Sequence, residues 1–440
     1  MPTGAVFSNF EGYAVQELVI TKKVTLFKRA RYKLPDGKYV TAPLPESVNG
    51  HFGDGLKEFI VTQYHCNNVT QNKIHQDLVS RGISISEGTI DTILSDAATK
   101  LEPEHDEILD VAKLLSLEVR ADDTGGKHNG KNHFHVVIQN DFFTYIQSSP
   151  SKSRKNFLRV LQGKTECYAL NQHAIAYLKS CGVHEPLVAK LETHLGAECA
   201  TEAAWKQFLE TIGINACTAG KKIILTLDEA ALLGALIKNG LRPDLILLTD
   251  GAPQFNKIFI HALCWIHAER IIKRLVPVND DERKEIDRIL DQIWDFYRAL
   301  KAYKEHPDDD QKLLLEKHFD EIFLQSVRYQ QLFEALRGFY KLKKELLRVL
   351  ENPFIDLHNN SSERDIRSVV CKRKISGSTR SIIGYKARNI FPSIIKTCQK
   401  NGVSPLKFIR DRLSTKPVME SLGSLIRSRS GLAETPTPSS

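Results

Sequence analysis

The run Leu245-Ile246-Leu247-Leu248-Thr249-Asp250-Gly251 constrains the fold of this chain more than any other stretch. Four successive apolar residues without alternation do not suit a sheet wetted on one side. They suit a strand covered on both faces, as in layered α/β folds. The run ends in an acid, and open α/β sheets place their sites at strand carboxyl ends. Earlier, Leu117 to Asp122 alternates as a strand and leads into Asp122-Asp123-Thr124-Gly125-Gly126, whose glycines are expected to release the chain from the sheet. Asn132 to Ile138 and Phe142 to Ile146, parted by a turn at Asn140-Asp141, complete an expected antiparallel meander. Two strands thus deliver acids at their ends.

Residues 1–45 alternate as strands at Val15 to Ile20, Val24 to Arg29 and Tyr39 to Thr41, with a turn at Leu34-Pro35-Asp36-Gly37-Lys38. Helical stretches follow at 55–65 and from Thr70 to about Ser80. Gly82 breaks the second, and Ser86-Glu87-Gly88-Thr89 opens a third, short one. This order fits a helix-turn-helix, and equally a helical hairpin used for packing or dimer contact.

The run Leu357-His358-Asn359-Asn360-Ser361-Ser362-Glu363-Arg364-Asp365-Ile366-Arg367 reads as a helix start carrying an acid into a basic stretch. Of the chain's net charge of +8, +10 lies within residues 361–413, leaving the remainder at −2. Such concentration suits a surface that neutralises phosphates. Glu363 has plain structural readings, a capping box with Asn360 or a pair with Arg367 one turn on. An acid inside a basic surface also suits a divalent-cation ligand at a phosphodiester. Asp122, Asp250 and Glu363 then read as one constellation. Two Mg²⁺ ions held by carboxylates can activate a water or 3′-hydroxyl and stabilise the leaving oxygen, with no histidine or serine nucleophile.

These residues carry a resemblance to transposases of the bacterial insertion sequence sixty-six family, from about residue 12 to residue 413. Its most specific parts are Ala121-Asp122-Asp123-Thr124, Leu248-Thr249-Asp250-Gly251, Cys264-Trp265-Ile266-His267-Ala268-Glu269-Arg270, Asn359 through Arg367, and Lys400-Asn401-Gly402-Val403-Ser404-Pro405. The resemblance implies an RNase H-like core and a D, D, E triad, which falls on Asp122, Asp250 and Glu363. It implies metal-dependent strand cleavage and strand transfer at transposon ends, with Mg²⁺ or Mn²⁺ as cofactor. Asp122 and Asp250 would bind both ions and Glu363 the second. Arg364, Arg367, Lys372, Arg373 and Lys374 would hold the DNA backbone. The expected partners are DNA ends and target DNA, further copies of the chain on DNA, and accessory proteins of the same element.

Two departures stand out. Asp123 replaces the family's usual Glu and makes a rival ligand, and the cysteines of a zinc module near Leu34 to Gly37 are absent, so a shortened or accessory form is a second expectation. A non-catalytic DNA-binding relative is the alternative function, and a structure-specific nuclease a third.

The fold class expected is α/β: an RNase H-like core with helical insertions, after a small β-hairpin and a helix-turn-helix. The divisions are 1–45, 46–100, core at 101–163, a helical insertion at 164–240, core at 241–275, a second insertion at 276–350, core and basic helices at 351–413, and a disordered tail at 414–440. His261, Cys264 and His267, spaced by three as on one helix, offer zinc ligands without a fourth. The preferred reading is a helix packed behind the Asp250 strand, with Trp265 in the core and Arg270 toward DNA. Cys371 to Arg380 reads as a basic loop that tracks a DNA backbone or is merely solvated. Residues 384–400 read as an amphipathic helix, kinked at Pro392 and stopped at Asn401-Gly402. No apolar run is long enough to cross a bilayer, and eight cysteines without CxxC pairing fit free thiols in a reducing cytoplasm.

Overall fold

The computed structural model describes residues 3–46, 48 and 50–430. After an exposed stretch without regular structure comes a hairpin of β1 (Arg31–Lys33) and β2 (Tyr39–Thr41). Its turn follows the expected chemistry: Gly37 takes φ +87°, and Asp36 accepts from the Lys38 N–H at 3.0 Å. The expected strands at Val15 to Ile20 and Val24 to Arg29 do not form. Alternation makes a strand only where a neighbour completes the ladder and a core covers the apolar face. Here Leu18, Val24 and Leu26 all stand exposed.

Helices α1 (Asp54–His65) and α2 (Gln71–Ser80) follow, and Gly82 at φ +73° turns the chain into α3 (Glu87–Leu115). Ser86 caps α3, accepting from the Thr89 N–H at 3.1 Å. The third helix is not short: it runs 29 residues, through Pro103. Ile90, Ala97, Leu101 and Ile108 keep one face buried over that whole length, so no packing signal ends it before Ser116.

The meander is β3 (Glu118–His128), β4 (Lys131–Gln139) and β5 (Thr144–Ser149). Then come α4 (Arg154–Gln162), β6 (Tyr168–Ala169), α5 (Gln172–Ser180), α6 (Glu185–Glu192), β7 (Glu198–Cys199), α7 (Glu202–Thr211), α8 (Ala216–Ala219) and α9 (Lys221–Lys238). The main sheet resumes with β8 (Ile246–Thr249) and β9 (Ile260–Leu263). A helical block follows: α10 (Trp265–Lys273), α11 (Asp280–Glu305), α12 (Asp309–Leu324), α13 (Gln330–Tyr340), α14 (Lys343–Leu346) and α15 (Arg348–Glu351). The chain closes with α16 (Asn360–Ser376), α17 (Ile382–Lys400), α18 (Pro405–Leu413) and α19 (Leu422–Ser430).

Five strands form one mixed sheet in the order β5-β4-β3-β8-β9, antiparallel across β5, β4 and β3 and parallel from β3 to β9. The apolar run is its penultimate strand, covered on both sides as its composition requires. Leu245 and Leu247 point into one core, with α3, α9 and α17, while Ile246 and Leu248 point into another, with Trp265 and the helices of residues 280–350. The edge of β5 is closed by side chains rather than by another strand. Asn389, Ser393 and Thr397 on α17 and Asn401, which caps it, are four apart and form one polar stripe. The Ile146 N–H donates to Ser393 Oγ at 2.8 Å, the Thr144 N–H to Thr397 Oγ1 at 3.1 Å, and Asn401 Nδ2 to Phe142 O at 2.7 Å. The sheet edge therefore offers no open ladder there.

Residues 414–430, expected to be disordered, include α19, whose Leu422 and Ile426 are buried in the main core. Arg412 and the Leu422 N–H both bond Glu104 on α3. Thr435 to Pro438 lies outside the described residues.

Helix α9 passes so close to β6 that a Cβ on Gly234 would lie 2.4 Å from Ala169 O. Backbone cannot move aside as a flexible side chain can. Gly234→Ala is expected to destabilise the fold by at least about 1–3 kcal/mol through overpacking, despite the better helix propensity of alanine. Chemical denaturation of the two proteins measures this.

Candidate active site

The parallel ladder places the first two acids. β3 and β8 pair as far as Arg120 with Leu248, and two residues beyond that pair stand Asp122 and Asp250. They lie at the same level on adjacent strands, with the same parity and so on the same face of the pleat. Asp122 is not at a strand end as expected. Gly125 and Gly126 stay in the ladder opposite Phe134 and His133, and β3 runs on to His128 because β4 continues beside it. What ends two residues before Asp122 is the pairing with β8, and the two carboxylates lie just past that opening.

The third acid comes from α16, whose start is docked by the polar residues before it. Asn359 Nδ2 donates to Ala121 O at 2.7 Å, beside Asp122, and the Asn359 N–H reaches Cys264 Sγ at 3.2 Å. Gln139 Nε2 donates to Ser361 Oγ at 2.7 Å and to Ser362 Oγ at 3.1 Å. Beneath them Arg120 is buried and gathers Glu118, Asp141 and Asp356 at 2.9–3.1 Å. Neither structural reading of Glu363 holds. The cap residue is Asn359, without a side-chain capping bond, and Glu363 pairs with Arg270 instead of Arg367.

Electrostatics ties the three together. Burial pushes the Asp122 carboxyl up to about 7; the negative charges of Asp250, Asp123 and Glu363 add to this, and a hydrogen bond from the Asp123 N–H opposes it. Asp250 Oδ1 accepts from the Ala252 N–H at 3.0 Å. Glu363 is held in a fork by Arg270, at 2.7 and 3.4 Å. His267 stands between the acids, Nδ1 3.7 Å from Glu363 and Nε2 4.0 Å from Asp250. Asp123, the rival ligand, faces away and is engaged by Lys152 and Gln254.

Among the described residues, no three His, Cys, Asp or Glu side chains are gathered tightly enough to hold a metal ion. The donor chemistry nevertheless fits a hard divalent cation. Asp122 and Asp250 present carboxylate oxygens of like charge whose mutual repulsion a cation would relieve, and Glu363 is withheld by Arg270. His261, Cys264 and His267 do not share a helix: His261 lies on β9, Cys264 precedes α10, and only His267 is helical. Trp265 is in the core as expected, but Arg270 turns to Glu363.

The basic residues divide. Cys371 to Ser376 is the end of α16 and not a loop, the chain leaving the helix only at Gly377, φ +61°. Arg364, Arg367 and Lys374 are exposed. Arg373 reaches inward to Gly125 O. Lys372, expected on DNA, is buried against Tyr64, with Nζ 3.4 Å from the ring centroid. Burial, then the charge of Arg388, pulls its amine from 10.5 down to about 7. Between those two values the unfolded chain binds the proton and the folded one releases it, so this residue makes stability rise with pH from about 7 to 10.5. Lys372→Met is expected to flatten that rise in urea denaturation across the same window.

His267, Arg270 and Asn359 are the site residues that sequence reasoning assigned elsewhere or left without a role. The signal for Arg270 was available, a cation in the same short motif as His267.

The fold is thus mixed α/β, with Asp122 and Asp250 side by side at the main sheet beneath a helix that exposes Arg364, Arg367 and Lys374. The family model described as Transposase IS66 family matches residues 236–387, which include Asp250 and Glu363. An uncharacterized protein of Sinorhizobium fredii (strain NBRC 101917 / NGR234), y4jO, is 37% identical over 296 residues, 67% of this chain and 91% of that protein. The chain belongs to the IS66 transposase family. No helix among the described residues is long and apolar enough to cross a membrane, and the eight cysteines are free thiols.

Proposed function

We propose that this protein is a D, D, E transposase, cutting insertion-sequence ends and joining them to target DNA from an RNase H-like core. The strand order supports that core: a three-stranded antiparallel meander whose first strand pairs in parallel with β8, which in turn pairs in parallel with β9. One observation carries the function, the placement of Asp122 and Asp250 at one level on adjacent strands with the charge of Glu363 also felt at Asp122. Asp122, Asp250 and Glu363 would hold Mg²⁺ or Mn²⁺, and a bound ion pair supplies an activated water or 3′-hydroxyl and charge stabilisation at the leaving oxygen. The chain's own residues do the rest. Asn359, Ser361 and Ser362 fix the start of α16 on the sheet, His267 stands between Asp250 and Glu363, and Arg364, Arg367 and Lys374 bind phosphates. Helices α1 to α3 act as the helix-turn-helix that selects end sequences, with several copies assembling on DNA in the cytoplasm alongside accessory proteins of the element.

The Arg270–Glu363 fork favours a second reading, a DNA-binding relative without cleavage, because it occupies the third carboxylate. The test is incubation of the purified chain with duplexes carrying the element's ends, in Mg²⁺, Mn²⁺ or EDTA. Metal-dependent nicks at the end junctions support the transposase; tight binding without nicks supports the accessory protein.

A further inference from the structure

A cavity of about 750 Å³ lies between α1–α3 on one side and α16–α17 on the other, and none of the three acids lines it. Its walls carry Lys372, Arg380 and Arg388. None of these makes an ion pair among the described residues, and Arg388 makes no hydrogen bond there either. Asp91, also on the wall, is occupied by Gln71 Nε2 at 3.0 Å. Lys396 is turned toward Asp365, 3.8 Å away. Arg388 is half-buried, and His65, also on the lining, is stacked on Phe391 with centroids 3.5 Å apart.

Holding cations out of water without a counter-charge costs free energy, and an anion entering the cavity recovers it. Burial lowers both Lys372, which rests on Tyr64 and donates to its carbonyl, and Arg388, which has no hydrogen-bond partner among the described residues. A guanidinium with its fork unoccupied matches the paired oxygens of a phosphate. The cavity is of the size that takes organic ligands rather than a lone ion. Asn67, Asn68, Ser378 and Ser381 add the neutral donors typical of sugar and phosphate contacts.

We infer that this cavity is a phosphodiester site, in which Arg388, with Arg380 at the rim, grips the backbone of a DNA strand passing between the N-terminal helices and the basic helix. The inference rests on the reading of the chain as DNA-binding and adds a contact away from the carboxylates. It links the candidate sequence-reading helices to α16 through one strand.

The test is a fluorescence-anisotropy titration of a duplex with wild type, Arg388→Gln, Arg380→Gln and, as a reference at the other surface, Arg364→Gln, at several salt concentrations. Thermal melting of each variant, with and without inorganic phosphate, checks folding and free-anion binding. Arg388→Gln is expected to weaken duplex binding by roughly 10-fold or more and to lower the salt slope by about 1. Arg380→Gln, a rim change that leaves the interior intact, should lower the slope in the same direction. If Arg364→Gln weakens binding while both cavity variants keep full affinity and slope, the phosphodiester site is wrong and the DNA reading survives. If wild type binds no duplex, both fall. Should inorganic phosphate then raise the wild-type melting temperature but not that of Arg388→Gln, the cavity holds a free anion and the backbone assignment is overturned.

Discussion

Asp250→Asn is expected to abolish metal-dependent cleavage of end DNA while duplex binding stays as tight as in wild type, or becomes tighter. The substitution is nearly isosteric, and its amide oxygen can still accept from the Ala252 N–H, so the turn after β8 survives. What is lost is a negative charge, and on the proposed reading a metal ligand. Removing a mere supporting partner of a metal ligand costs about 10–100-fold, and removing the ligand itself should cost more. On the proposed reading duplex binding rests on the exposed cations of α16, which the change leaves in place and relieves of one opposing charge. Cleavage on a denaturing gel and anisotropy on the same duplex separate the two effects. Equal loss of both would mean that Asp250 supports the fold and not the chemistry.

The second large effect concerns the anchor of α16. Asp365 is buried, accepts from Thr144 Oγ1 at 2.6 Å, and faces Lys400 at 3.0 Å. Lys400 also donates to Asn140 O and Phe143 O, tying α17 to the turn between β4 and β5. Asp365→Ala leaves that ammonium without its counter-charge, a loss of about 3–5 kcal/mol where a buried pair is broken. Burial already lowers the Lys400 amine to about 8, with Asp365 working against the fall. Removing Asp365 lowers it further, so the variant can shed the proton as pH rises. Its deficit in denaturation should therefore be largest in mildly acidic solution, shrink as pH rises toward about 8, and stay level above that.

The sheet was legible because its strands carry their pairing in composition. Leu245 to Leu248 needs two cores and has them, and the meander needs the short turn at Asn140-Asp141. The helix start at Ser86 was legible from its capping chemistry, while Thr70 starts its helix without a side-chain capping bond. Val15 to Ile20 misled because period two reports a possible face and not the presence of a partner strand. Gly125 and Gly126 misled likewise: whether glycine ends a strand depends on β4 beside it, which local sequence does not carry. The tail beyond Ser414 looked featureless, yet Leu422 and Ile426 find a groove on α3 only in three dimensions.

For the site, the acids Asp122, Asp250 and Glu363 could be named from the sequence. Charge alone could not tell Lys372, buried under Tyr64, from Lys374, two residues on and exposed. Nor could it pair Arg270 with Glu363, 93 residues away.

The most direct measurement of the central claim is an anomalous difference map from crystals grown with Mn²⁺ and end-sequence DNA. The account predicts manganese bound by Asp122 and Asp250, with Glu363 swung off Arg270 toward it. Manganese found only away from these carboxylates, with DNA in place and Glu363 still forked by Arg270, would contradict it.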